Sequence, residues 1–308
     1  MRIRKWFMLM IACIRFFLAV ILLVCNLVIC SSIVFLLLPL PRFFGLGQQW
    51  FSGVQKKLQR LHSANIAWIL LHISGVRFSV NTSDSFLDQG RYIMVVNHQS
   101  GVDILVLLAL LPRDLPLLKF FLKKSLAYIP FLGWFCYVMG YLFVDRVPSH
   151  ATLSDAKRIL CLQRARLSMQ CKSALESPTT LVLFVEGTRF SPQNKPGLYQ
   201  HVLQPQSTGL ALALEQAPVD CQGVIDTTIF YAQTNQVTPW TLLSGLCKTI
   251  HIDMHTHACK EFYAQDILKK KSKKRKLSEW LQAIWLQKDA YLAARYTALF
   301  RLEKKTKV

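Results

Sequence analysis

The sequence predicts an α/β fold, a mostly parallel sheet flanked by helices, carrying an N-terminal membrane helix or helical hairpin. Two observations predict it. From Val76 onward, short strand-like runs alternate with helix-like ones, and several of the strand-like runs are continuously apolar, as strands covered on both faces are. Ahead of them lies an apolar stretch from Trp6 to Leu40 in which Arg15 is the only charge.

Phe16 to Leu40 alone is long enough to cross the roughly 30 Å hydrocarbon core of a bilayer. It is too long for a signal peptide and has no small-residue cleavage site. Two readings stay open: a single span, or a hairpin bent near Asn26 or Ser31-Ser32. Basic residues flank both ends (Arg2, Arg4, Lys5; Arg42, Lys56, Lys57, Arg60), so loop charge does not choose between them. The length favours the span and the flanking charge favours the hairpin.

Gln48 to Gly75 reads as a helical linker, and Val76 to Val80 alternates as a strand does. Strands follow at Tyr92–Val96, Tyr141–Val144, Thr180–Val185, Val224–Tyr231 and Thr249–His255, with helices at Ile104–Leu111, Leu153–Leu175 and Ser207–Glu215. Leu117 to Met139 mixes seven aromatic residues with Lys119, Lys123 and Lys124. Rings and lysines together suit a headgroup layer, so this stretch is expected to seat the domain on a bilayer, against the alternative of a core helix pair. The chain divides into an anchor at 1–45, a linker helix and first strand at 46–90, an α/β domain at 91–260 and a basic helical region at 261–308.

Composition narrows the function. A hydrophobic content of 52% points to membrane association, and a net charge of +20 calls for an anionic partner. Nine cysteines without a C-x-x-C pair suit a reducing compartment and argue against a disulfide framework. Residues 269–308 carry thirteen Lys/Arg against Glu279, Asp289 and Glu303, half of the net charge. Its Lys269–Lys276 run is read as contact with anionic lipid. No nucleic-acid fold accompanies it, so nucleic acid is not an expected partner. His251, Asp253, His255 and His257 share a strand without fixed partners elsewhere, and no metal is expected.

Three strand ends carry chemistry. After the first lies Asn97-His98-Gln99-Ser100-Gly101-Val102-Asp103. Positions five apart on a helix diverge by roughly 140°, so His98 and Asp103 meet only if His98 stands in the turn before the helix. Ser-x-x-Asp ahead of an apolar run reads as a capping box, which puts it there. The competing reading makes Asp103 a cap and His98 an ordinary turn residue. Gly140 to Arg146 delivers Arg146 at a second strand end, and Glu186-Gly187-Thr188-Arg189 follows a third. Two arginines at the rim where open α/β sheets bind ligands are suited to grip a phosphate, and Glu186 is either a ligand contact or the partner of one of them.

Asn-His-x-x-x-x-Asp, Gly-x-x-Phe-x-x-Arg and Glu-Gly-Thr-Arg, in this order, resemble the glycerolipid acyltransferase family, typified by lysophosphatidic acid and lysophospholipid acyltransferases. The resemblance covers about Tyr92 to His257. It implies an integral membrane enzyme that moves a fatty acyl group from acyl-CoA or acyl carrier protein to the free hydroxyl of a lysophospholipid or lysophosphatidic acid. It makes His98 and Asp103 catalytic, and it places Arg146, Glu186, Gly187, Thr188 and Arg189 around the acceptor, with no cofactor. The domain is expected on the cytosolic face, at the inner membrane if the source is bacterial. The strand Gly223 to Tyr231 lacks the proline of many members, and its Asp226-Thr227-Thr228 looks more like the branch of lysocardiolipin and lysophosphatidylinositol acyltransferases and bacterial YihG-like proteins.

The residue types support the same chemistry. A thioester loses a thiolate whose conjugate acid has a pKa of about 8.5, so a base for the attacking hydroxyl is the principal need. Neutral His98 oriented by Asp103 supplies one. No Gly-x-Ser-x-Gly elbow is present, so direct transfer without an acyl-enzyme is expected; the sequence does not identify the oxyanion donors, for which amides near Gly101 are candidates. The alternative is a non-catalytic lipid-binding or scaffold protein of the same fold, which would have no need of the base.

Overall fold

The apolar runs become strands because helices cover both of their faces. β1 (Arg77–Asn81), β2 (Arg91–Val96), β3 (Leu117–Lys123), β4 (Leu142–Val144), β5 (Thr179–Phe184), β6 (Gly223–Tyr231) and β7 (Thr249–Ala258) form one sheet in the order β1-β7-β6-β2-β5-β3-β4. The pair β6–β7 is antiparallel and every other neighbouring pair is parallel. The computed structural model describes residues 2–37, 48–82, 84–110, 115–145, 152–191, 197–232, 237–259, 262 and 271–305.

The alternation of side chains along β2 divides the core. Tyr92, Met94 and Val96 point to one face, where α1 (Arg2–Leu37), α2 (Gln48–Trp68), α3 (Asp103–Ala109) and α4 (Leu132–Val138) lie. Ile93 and Val95 point to the other, against α5 (Leu153–Leu175) and α6 (Ser207–Gln216), with the long C-terminal helix beyond. A short helix, α7 (Pro239–Leu243), precedes β7, and α8 (Lys271–Lys305) ends the described chain. β2 is central, and β5 and β6 flank it in parallel, so the carboxyl ends of all three open onto one edge.

α1 is one continuous helix of 36 residues, about 54 Å at 1.5 Å per residue, and it runs unbroken through Asn26 and Ser31-Ser32. A bend at either place is therefore excluded. Both polar groups are instead satisfied by the domain: the Asn26 Nδ2 donates to His62 O at 3.1 Å and Ser31 Oγ to Phe131 O at 3.1 Å. Ala12, Ala19, Asn26, Cys30 and Val34 make a buried stripe, while Phe17, Ile21, Val24 and Phe35 on other sides are exposed.

The stretch expected on a bilayer divides in two. Leu117–Lys123 is β3, an interior strand with Phe120 fully buried, so its first half belongs to the core and not to a membrane surface. Lys119 is buried there, its Nζ donates to Ala174 O at 3.1 Å, and burial lowers its pKa to about 8. After β3, a 3-10 turn over Lys124–Tyr128 and the helix α4 leave Tyr128, Ile129, Phe131, Trp134 and Tyr137 exposed. Gly133 is required where α4 packs on this turn: a Cβ would sit 1.9 Å from Ala127 O.

The C-terminal apolar positions are covered by the domain. Leu277, Leu281, Trp285 and Leu292 of α8 are buried in the second core cluster. On this helix Arg275, Lys276 and Leu286 are exposed, and Lys269 and Lys270 lie outside the described residues.

Candidate active site

The turn after β2 keeps His98 out of the helix, and α3 begins at Asp103 itself. The two side chains meet: His98 Nδ1 lies 2.9 Å from Asp103 Oδ2. That oxygen also accepts the backbone N–H groups of Gln99 (2.8 Å) and Ser100 (2.9 Å). The other oxygen, Oδ1, accepts the hydroxyl of Tyr231 at 2.6 Å. The carboxylate is thus held from four directions and is fully buried. Half of the expected capping box forms: Asp103 accepts from Ser100 N, but the Ser100 hydroxyl, which donates to Val237 O at 2.6 Å, accepts from Val102 N and not from Asp103 N. Asn97 fastens the turn to β6 through both ends of its amide, donating to Ile229 O and accepting from Ile229 N.

The carboxylate fixes the histidine tautomer. A proton on Nδ1 satisfies Asp103, which leaves Nε2 as the basic atom. Phe184, the last residue of β5, stacks on the imidazole at 4.2 Å and holds the plane of the ring.

His98 opens onto a cavity of about 560 Å3. Ile104, Phe121, Leu126, Val144 and Leu183 supply apolar lining, and Lys123, Arg189 and Gln206 supply polar groups. Arg189 approaches over Gly101: a Cβ at 101 would meet its Nη1 at 3.3 Å. Gly187 turns the chain with φ +70°, a left-handed conformation that favours glycine, and Thr188 beside it is exposed.

Glu186 faces inward. Its Oε1 accepts the indole N–H of Trp285 at 3.1 Å. Burial raises its pKa to about 8, and the Trp285 N–H, the amides of Leu203 and His98, and the charge of Lys288 oppose the rise.

A family model described as Acyltransferase matches residues 77–232. The chain belongs to the acyltransferase family. It is 26% identical over 281 residues to lysocardiolipin acyltransferase 1 of Mus musculus, a match covering 85% of this chain and 69% of that one. It is 25% identical over 246 residues to 1-acyl-sn-glycerol-3-phosphate acyltransferase 2 of Arabidopsis thaliana, covering 74% of this chain and 58% of the plant protein, less than two thirds of its length. Among solved structures, the 1-acyl-sn-glycerophosphate (LPA) acyltransferase of Thermotoga maritima shares the fold with a TM-score of 0.50 at 17% identity, covering 89% of this chain and 96% of that one.

In this acyltransferase the structure gathers His98, Asp103, Gly187 and Arg189 at one edge of the sheet. It sets Glu186 beneath them, its Oε1 bonded to the Trp285 indole and, among the described residues, to no arginine. Arg146 lies outside the described residues. Three residues were not foreseen as part of the site. Tyr231 is the last residue of an apolar strand, and no spacing in the sequence separates it from a core tyrosine. Trp285 lies 99 positions from Glu186, beyond any local pattern. Lys123 was assigned to the bilayer with its neighbours, whereas it ends β3 at the cavity.

Proposed function

We propose that this acyltransferase moves a fatty acyl group from an acyl thioester to the free hydroxyl of a lysophospholipid or lysophosphatidic acid. The observation that carries the reading is the His98–Asp103 pair, whose remaining ring nitrogen belongs to a residue lining a cavity with an apolar wall and a cationic rim. The apolar wall suits an acyl chain. Arg189 and Lys123 suit an acceptor phosphate, and by its position in the sequence, two residues after β4, Arg146 is assigned to the same role.

In this mechanism Nε2 of His98 takes the proton of the acceptor hydroxyl as its oxygen attacks the thioester carbonyl. The imidazolium that forms is stabilised by the Asp103 carboxylate. The C–S bond breaks, the thiolate leaves, and the imidazolium returns the proton to it. The donor is acyl-CoA or acyl carrier protein.

Attachment follows from one continuous face. The exposed side chains of α1 adjoin those of the α4 region, where Phe35 and Trp134 stand 6.1 Å apart and Ser31 bonds to Phe131. This face enters the bilayer, with the domain on the cytosolic side, and the basic start of α8 adds a hold on anionic lipid. To test the function, the purified protein is given a panel of lysolipids with each donor and the products are read by mass. Transfer to at least one lysolipid is expected. Thioester hydrolysis without a diacyl product from any acceptor would refute the reading.

A further inference from the structure

The helix α8 lies beyond the residues matched by the family model, which end at 232, yet it reaches the segments that build the site. Trp285, Lys288 and Asp289 stand at i, i+3 and i+4, one face of the helix. Trp285 is fully buried and donates its indole N–H to Glu186. Lys288 ion-pairs with Asp226 at 2.6 Å, donates to Thr227 O at 2.6 Å, and sits 4.3 Å over the Trp285 ring. The Asp289 carboxylate accepts three successive backbone amides, those of Gln200, His201 and Val202, at 2.6 to 3.2 Å. That segment runs on to Gln206, which lines the cavity and ties back to Val185 O at 2.7 Å.

Two turns further on, the Tyr296 ring packs on His201 at 4.8 Å and on Phe230 at 4.9 Å. Its hydroxyl also faces the side chain of Gln99, in the turn that carries His98. One helix face therefore touches the turn after β2, the ends of β5 and β6, and the loop before α6.

We propose that Trp285, Lys288 and Asp289 are positioning residues for the acceptor end of the site, Trp285 acting directly through Glu186. The inference rests on the reading of Glu186 and Arg189 as flanking the acceptor. Plain packing does not account for the chemistry chosen. A buried lysine and a buried glutamate both lose solvation, and apolar residues of similar size would hold a helix on a sheet without that cost. Burial does oppose both charges, lowering the Lys288 pKa and raising that of Glu186. What the polar set adds is direction: Trp285 fixes one oxygen of Glu186, Lys288 fixes Asp226 and Thr227 O in β6, and Asp289 fixes three amides of the segment that leads to Gln206 at the cavity.

The test compares Trp285→Phe, Glu186→Leu and the double variant of the full chain, with acceptor and donor KM and kcat measured separately. Trp285→Phe keeps a ring and removes the donor. It should raise acceptor KM up to about tenfold, the loss expected for one buried hydrogen bond. Donor KM should stay unchanged, and the substitution should add little in the Glu186→Leu background, where the indole N–H has no acceptor. A drop in kcat alone, or an equal effect with and without Glu186, would overturn the inference while leaving the acceptor reading standing. Should Glu186→Leu itself leave acceptor KM untouched, that reading falls and this inference with it. If Trp285→Phe gives no cooperative thermal transition, Asp289→Asn is measured instead: a raised acceptor KM supports the proposal, and an unchanged one overturns it.

Discussion

Tyr231→Phe removes one oxygen atom from the site and nothing else. The hydroxyl it deletes donates at 2.6 Å to Asp103 Oδ1 from a fully buried position, where water does not replace it. A hydrogen bond to a charged group contributes about 1.5–3 kcal/mol, and each 1.36 kcal/mol is a factor of ten in rate. Asp103 Oδ2 keeps its contacts with His98, Gln99 and Ser100, so the carboxylate stays in place but loses the donor that fixes its rotation. The lower end applies, and kcat should fall about tenfold. Neither substrate's KM should change, because the hydroxyl faces Asp103 and not the cavity. Initial rates at saturating donor and acceptor are the assay, with thermal unfolding measured in parallel. An unchanged kcat beside a lowered melting temperature would show that Tyr231 serves stability alone, and the argument that the network orients His98 would be wrong.

Three further outcomes follow from the same geometry. Arg189→Lys should raise acceptor KM about tenfold at constant donor KM, since an ammonium lacks the guanidinium fork; an effect confined to the donor would assign Arg189 to the carrier's phosphates. Burial lifts the Glu186 pKa from an ordinary 4.5 to about 8, so the native state holds a proton that the unfolded chain releases across that window. Stability is therefore lost as pH rises through it, and Glu186→Gln should gain on the wild type in melting temperature between pH 5 and pH 8; a constant difference across that range would contradict the assignment. Tyr128→Glu combined with Tyr137→Glu places two charges on the exposed face around α4 and should weaken partition into neutral vesicles about tenfold without altering the melting temperature. Unchanged partition would remove that face from the membrane contact.

What was legible in the sequence was what spacing encodes. The meeting of His98 and Asp103 follows from a five-residue separation that works when one partner precedes the helix, and α3 does begin at Asp103. The strands at 92–96, 180–185 and 224–231 were legible from continuous apolar runs, each found within about a residue of its expected ends. β3 was missed because Lys119 and Lys123 interrupt its apolar side chains, and lysine among aromatics imitates a headgroup layer. The structure buries Lys119 against Ala174 O, a solution that only tertiary packing provides. The apolar period of α8 was legible as a helix, but not what covers it. The contacts of Trp285 with Glu186 and of Asp289 with the 200–202 amides span 87 to 99 positions and leave no periodic trace.

The central claim is that Nε2 of His98 takes the proton from the acceptor hydroxyl. Its most direct test is turnover of His98→Ala against wild type, with a lysolipid acceptor and an acyl thioester donor, products quantified by mass and folding checked by thermal unfolding. The expected result is a folded protein whose turnover is lower by about two to four orders of magnitude, the range for loss of a general base, with the lysolipid still bound. A folded His98→Ala protein that forms product at the wild-type rate would contradict the claim.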